Sequence, residues 1–243
     1  VIVLTSDQDW APSWATDALL GSWREAGVAG TFFVTNACES LAGVGLQDGI
    51  ELAWHPNFMD GSSHGSNTEE VLSTLRELVP NSLGVRSHYL VRSTALLQEY
   101  GRQGLLYEAS DLMDAQPGLR PIPSWNSVVR VPIYWADDVH AMHGRAFELS
   151  AMDLDAPGLK VFAFHPIHVA LNTRTLSGYR AFHAAMVEQN RSMTEATTDE
   201  VARYREDGPG TADLLAELLQ FLAAHPERCG GTVSAVARQA WTS

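Results

Sequence analysis

The sequence predicts an α/β barrel, and three observations carry that prediction. Short apolar, β-branched runs alternate with segments of helical period from the first residue onward, a pattern that implies parallel strands joined by right-handed crossovers. No GxGxxG or Walker loop follows any of these runs, so the nucleotide crevice of an open, doubly wound sheet is not announced. Polar residues stand instead at the C-terminal ends of nearly every run, where barrel enzymes keep their sites.

Each element has its own signal. Residues 1–4 (VIVL) read as a buried strand that runs into Thr5-Ser6-Asp7-Gln8-Asp9. A helix over 13–26 follows, with Leu19, Leu20 and Trp23 at helical spacing and Gly27 as its stop. Residues 30–35 (GTFFVT) are the second strand and 50–55 (IELAWH) the third. Asn67-Thr68-Glu69-Glu70 has capping-box character and opens a helix over 71–78. Residues 83–88 (LGVRSH) form the fourth strand, followed by a helix over 94–102. Residues 105–109 (LLYEA), 128–135 (VVRVPIYW) and 159–165 (LKVFAFH) supply strands five to seven. The last third differs. Residues 176–205 and 212–224 read as two amphipathic helices, separated by the turn-rich Glu206-Asp207-Gly208-Pro209-Gly210. They are expected to pack on the barrel, so that residues 1–243 make a single domain, with a barrel core over 1–172 and a helical extension over 173–243.

Composition narrows the function classes. Of 243 residues 45% are hydrophobic, enough for one large core. The balance of 16 Lys+Arg against 29 Asp+Glu gives a net charge of −13, which argues against a nucleic-acid partner, because that binding rests on neutralising phosphates. No stretch approaches the apolar length of a membrane span. Cys38 and Cys229 lie far apart without metal or redox spacing and read as independent thiols. With no signal-peptide pattern in the sequence, a cytoplasmic protein is expected.

The strand ends gather the chemistry. The first delivers Asp7 and Asp9, the third His55, the fourth Arg86 and His88, the sixth Trp135 with Asp137 and Asp138, and the seventh His165. Residues two apart in a strand share a face, so Asp7 and Asp9 are expected to point together, as are Arg86 and His88. Two close carboxylates do not ionise independently unless a cation or a proton lies between them. A divalent metal on one carboxylate, with the other left free as a base, resolves the repulsion. Carboxylate and imidazole make a mixed ligand set usual for catalytic Zn²⁺ and tolerable for other first-row ions. Asp9 and His55 are the best pair. For the third ligand His64, across a Gly- and Ser-rich loop, is preferred, and His88 competes. An acidic residue after a strand is often only a helix cap, and His140, His143, His183 and His225 read as ordinary structural histidines. A core does not, however, require DxD, His, Arg-x-His and a final His on successive strand ends.

TSDQDW, AWHPNF, RSHYL, VPIYWADD and FAFHPIH occur in the order of five motifs, and the chain thereby resembles the NodB-type polysaccharide deacetylases. It is most similar to their WbmS-like branch, found with O-antigen and surface-glycan genes. The resemblance covers residues 1–172, HPNF and FHPIHVALNT being its most specific pieces. It implies a distorted (β/α)7 barrel, in agreement with the strand count, and metal-dependent removal of an N-acetyl group from a sugar. By position it makes Asp7 the catalytic base, Asp9 and His55 metal ligands, and Arg86 the group that orients the base. Trp135 and Asp137 fall in the motif that lines the pocket and supports the acid, and His165 matches the histidine that protonates the leaving amine. Asn57, Tyr89, Trp135 and His168 are expected at the substrate, and Trp54, Trp125 and Trp135 are available to stack on a sugar ring. The sequence departs from the pattern at Met59, where the second histidine of its motif normally stands, and at His88, normally a proline. Ligand number and metal identity therefore stay open. So do two other functions on the same barrel, hydrolysis of a small cyclic amide and glycan binding without catalysis.

Overall fold

β1 (Ile2–Asp7) is buried along its whole length, as an unbroken apolar run in a parallel sheet covered on both faces should be. It lies between β2 (Gly30–Val34) and β9 (Lys160–Phe164), with Thr5 level with Thr31 on one side and Ala163 on the other. β3 (Ile50–Trp54) continues the sheet beyond β2. The computed structural model describes residues 1–241; the end of the expected helical extension, Thr242 and Ser243, lies outside the described residues.

The fourth and fifth strands are shorter than the sequence predicts. β4 (Gly84–Val85) and β5 (Tyr107–Glu108) pair over two residues each. The ladder runs one bond further, since the Arg86 amide donates to Trp54 O and the Ala109 amide to Val85 O. The chain then peels away to build the site. β6 (Ile122–Pro123), absent from the predicted set, pairs antiparallel with β7 (Val129–Arg130) as a hairpin on the sheet edge. The predicted sixth strand is split into β7 and β8 (Trp135–Ala136). Pro132 stands between them and has no N–H to give to a ladder.

The order β6-β7-β5-β4-β3-β2-β1-β9-β8 makes one nine-stranded sheet. Its two ends belong to one segment: β7 pairs with β5 and β8 with β9. Between them the Ile133 amide donates to Asp111 O at 2.8 Å and the Tyr134 amide to Val161 O at 2.9 Å. With β7 and β8 counted as halves of one stave and β6 set aside, seven staves ring the interior. That is the distorted (β/α)7 arrangement, curled rather than regular.

Helices cover the outside. α1 (Ser13–Glu25) sets Trp23 so close to Gly30 that a Cβ there would come within 2.4 Å of the indole. α2 (Thr68–Leu78) is capped by Asn67, which accepts from the Glu70 amide, and α3 (Thr94–Arg102) by Ser93. No α-helix follows β2, where two short 3-10 turns take its place. α4 (Asp137–Met142) and α5 (Pro166–Leu171) follow β8 and β9. The single helix expected over 176–205 is instead α6 (Leu176–Glu188) and α7 (Thr198–Ala202). Asn190 turns left-handed between them, and capping boxes at Ser192 and Thr197 compete for the backbone that a continuous helix would use. α8 (Thr211–Ala224) buries Leu214, Leu215, Leu218 and Leu222 against the barrel exterior, each worth ~1.5–3 kcal/mol of transfer free energy.

A second core fills the inside. Val3, Phe33, Ala53, Ala109, Val131 and Val161 meet there, closed from the N-terminal end by Val233, Val236 and Ala237 of α9 (Val233–Gln239). Glu51 ties that plug to the wall, accepting from Thr31 Oγ1, Tyr107 OH and the Ser234 amide at 2.9–3.1 Å. Cys38 and Cys229 are both free thiols. Among the described residues no helix is long and apolar enough to cross a membrane.

Candidate active site

With the N-terminal end plugged, the interior opens only at the C-terminal strand ends, and most of the expected residues converge there. Asp7 ends β1 inside the barrel. Arg86, fully buried, reaches it from the fourth stave: its Nη1 donates to Asp7 Oδ1 at 2.6 Å and to Thr5 Oγ1 at 2.8 Å. Nε of the same guanidinium donates to Ala109 O, and the group lies 4.2 Å over the Phe33 ring. Such a forked donor, packed on an aromatic face, holds a carboxylate in one orientation. Asp9 enters the same cleft, though not by strand alternation. The strand has ended, and Asp9 and Trp10 both take left-handed φ (+46° and +53°), a strained turn of the kind found at functional sites.

Asp9 meets His55, its expected partner, and His88, the competing candidate for the third ligand. Its Oδ1 lies 3.0 Å from His55 Nε2 and 2.9 Å from His88 Nδ1. Burial pushes the Asp9 carboxyl up. The hydrogen bonds from His55 and His88, with the charges of His55 and His165, outweigh it and hold the group well below the usual carboxylate range. His55 Nδ1–H donates to Arg86 O at 2.6 Å, because a carbonyl can only accept. With that proton on Nδ1, the other ring nitrogen, Nε2, faces a carboxylate oxygen of Asp9. The two atoms lie 3.0 Å apart, a contact that requires a proton or a cation between them.

His64 is the correction. It was expected as the third ligand ahead of His88, but both its ring nitrogens are engaged elsewhere. Nε2–H donates to Thr35 O at 2.6 Å, and Nδ1 accepts from the Asn57 amide at 3.0 Å. The loop does fold back over the barrel, and it uses His64 as its latch. Asp9, His55 and His88, not His64, bring their ligand atoms within 4.8 Å of one another.

On the opposite wall His165 Nδ1 donates to Asp137 Oδ1 at 2.6 Å, and its backbone amide donates to Asp137 Oδ2 at 2.8 Å. Asp137 is fully buried at the start of α4. Burial disfavours the charged imidazole, but the Asp137 carboxylate, by charge and by hydrogen bond, outweighs it, and the His165 pKa rises well above the usual imidazole range. The free Nε2 points at both acids of the first stave, 4.0 Å from Asp7 Oδ2 and 3.5 Å from Asp9 Oδ2.

The expected substrate residues divide. Tyr89 lines the cleft, 76% exposed, in a left-handed turn (φ +54°) with its ring 4.4 Å from His88. His168 lines it too, its Nδ1 bonded to Thr173 Oγ1, and burial lowers its pKa against the pull of Asp137. Trp135 does not. It faces outward into the helix-covered core and donates from Nε1 to His140 Nδ1, because its neighbours Ile133 and Ala136 take the inward positions. Asn57 belongs to the His64 loop, where its Oδ1 accepts from the Met59 amide. Trp54 is buried with Nε1 on Val79 O, and Trp125 is exposed away from the cleft lining. Asp138, named at a strand end but given no role, lines the cleft, and Leu90, Leu112 and, from the C-terminal extension, Leu176 and Tyr179 join it. Asp138 had a signal, its place after a strand. Leu176 and Tyr179 had none, since on an amphipathic helix they resemble ordinary packing residues.

Seven staves with buried acids and imidazoles at one end define a deacetylase-type barrel of the NodB kind. The sequence profile of the WbmS-like polysaccharide deacetylases matches residues 4–183. The chain is 31% identical to the WbmS protein of Bordetella bronchiseptica, described as a candidate polysaccharide deacetylase involved in O-antigen biosynthesis, over 90% of each chain with a TM-score of 0.77. The protein belongs to the WbmS-like polysaccharide deacetylase family. A candidate polysaccharide deacetylase from Mycobacterium smegmatis shares the fold, with a TM-score of 0.61 at 18% identity over 99% of this chain and 90% of that one. Comparison with curated proteins finds no match.

Proposed function

We propose that the protein is a metal-dependent hydrolase that removes the N-acetyl group from a sugar during the building of a surface polysaccharide. One observation carries the reading: Asp7 held by Arg86 and His165 held by Asp137 face each other at 4.0 Å beside the Asp9–His55–His88 cluster. A base, an acid and a cation site in one cleft are the parts that amide hydrolysis requires. The role in O-antigen biosynthesis given for the Bordetella relative supports the pathway.

Asp9, His55 and His88 fit a divalent ion of the Zn²⁺ type by donor chemistry, one carboxylate oxygen and two imidazoles, and by the 3.0 Å approach of His55 Nε2 to the Asp9 carboxylate, which a cation can bridge as a proton can. When bound there, such an ion supplies a Lewis acid for the amide carbonyl and lowers the pKa of a bound water to about 7. The chain's own groups do the rest. Arg86 occupies one oxygen of Asp7, which leaves Oδ2 turned to the cleft to take a proton from the attacking water. The backbone N–H near Tyr89 serves the developing oxyanion. His165, charged through its pairing with Asp137, gives its Nε2 proton to the sugar nitrogen as the C–N bond breaks. Acetate and a free amine leave.

The test is acetate release from N-acetylated sugars by the purified protein supplied with divalent metal. Asp7→Asn should lower that rate by about 10²–10⁴-fold, the usual worth of a positioned base, with circular dichroism and metal content unchanged. A variant that keeps the parent rate overturns the base assignment. Bound metal with ring opening of a cyclic amide, and no acetate, moves the function to the amidohydrolases. Neither metal nor product leaves a glycan-binding barrel.

A further inference from the structure

We propose that the cleft is a small pocket for one uncharged, chain-terminal N-acetylated sugar unit, with Tyr179 of α6 as the residue that closes one side of it. The inference rests on the deacetylase reading and adds a substrate class to it. The wall runs around the ring. Every stave but the second contributes, from Asp9 and His55 through Tyr89 and Leu112 to Val139 and His168. On the side of the second stave the 56–66 loop is drawn over the barrel and latched by His64 to Thr35 O. The cleft volume is about 220 Å³, below the roughly 300–1,000 Å³ of pockets for drug-sized ligands. It suits one sugar ring rather than a row of them.

Charge narrows the substrate further. Asp7, Asp9 and Asp138 line the cleft, and no lysine or arginine does. Arg86 lies beneath the floor, engaged with Asp7, Thr5 and Ala109. A diphosphate or a sugar carboxylate would find none of the forked or ammonium donors that such groups are recognised by.

Tyr179 closes the side where the extension folds over α4 and α5. Its ring lies 4.6 Å from that of His168, tilted by 50°, and its phenol makes no hydrogen bond to any described residue. Burial, with the charges of Asp9 and Asp138, pushes the phenol up to about 12, so it stays a donor at neutral pH. An aromatic face with a free hydroxyl beside it is a surface that a sugar ring packs against.

The experiment compares three probes, with products mapped by mass spectrometry. These are methyl glycosides of N-acetylglucosamine and N-acetylgalactosamine, a chitin oligomer, and a nucleotide-diphosphate N-acetylhexosamine. The parent protein should deacetylate the glycosides and the terminal unit of the oligomer, spare internal units, and act on the nucleotide sugar about tenfold less efficiently. Tyr179→Ala should raise KM for the glycosides about tenfold, leave kcat within about threefold, and admit internal units. Calorimetric binding of the glycoside to Asp7→Asn, with and without Tyr179→Ala, should show the same tenfold loss independently of turnover. Internal units processed as fast as ends by the parent overturn the chain-terminal specificity, whatever the variant does. A preferred nucleotide sugar overturns the charge argument, and unchanged KM and binding in Tyr179→Ala overturn the assignment of that residue. No acetate from any probe overturns the deacetylase reading itself, a different outcome from each of these.

Discussion

His55 and Asp9 carry the sharpest constraint in the molecule. With Nδ1–H committed to Arg86 O, His55 can meet the Asp9 carboxylate only through a proton or a cation at Nε2, and His88 meets the same carboxylate oxygen from a neighbouring stave. His64 has no capacity left for an ion, since each ring nitrogen already has a backbone partner. The two histidines therefore separate by experiment. Asp9→Ala and His88→Ala should each strip the metal, read by elemental analysis of purified protein. His64→Ala should keep it and instead lower stability by about 1–3 kcal/mol, because buried backbone groups of Thr35 and Asn57 lose their partner. The reverse pattern, metal lost with His64 and kept without His88, would restore His64 as the ligand. Both histidines stood out in the sequence. What spacing does not encode is that one lies on a loop whose own backbone needs a partner more than a metal would.

Among the elements, the floor and the extension show where local patterns suffice and where they fail. Helices α1 to α3 and α8 follow from periodicity and caps, with boundaries close to those expected. The long helix over 176–205 does not form, because Ser192 and Thr197 cap new turns inside it. At the opposite end of the barrel α9 meets Glu51, a carboxyl buried among donors. Burial raises its pKa above the ordinary 4.5, with the hydrogen bonds from Ser234, Thr31 and Tyr107 opposing. A carboxyl with a raised folded-state pKa favours the fold in its protonated form. Its contribution is fully present below pH 4.5 and is lost as pH rises through the folded value. Glu51→Gln cannot ionise. The stability of the parent relative to this variant should therefore fall as the pH is raised from 4.5 through the raised folded value, measured by urea unfolding at a series of pH values. A difference that stays flat across that range would mean that Glu51 is not buried as a titrating group.

Across the whole molecule the sixth stave decides whether the sheet is a ring. Its first half bonds to β5 and its second to β9, with Pro132 between. If this segment closes the barrel in solution, the amides of Val131, Ile133 and Tyr134, which donate to Glu108, Asp111 and Val161, should exchange hydrogen as slowly as those of β1 and β2, within about tenfold. Rapid exchange there, beside slow exchange in β1, would mean an open sheet. The alternation of strand and helix, the seven apolar runs and the acids and histidines at their ends were all legible in the sequence, because local period and local burial are written in the chain itself. Tertiary structure alone decided that His88 rather than His64 meets Asp9, that Trp135 faces outward, and that Leu176 and Tyr179 wall the cleft. These depend on how far a loop folds back, which side of a broken stave faces in, and where a distant helix lands. Such facts are set by packing between residues far apart in the chain, and spacing along the sequence carries no record of them.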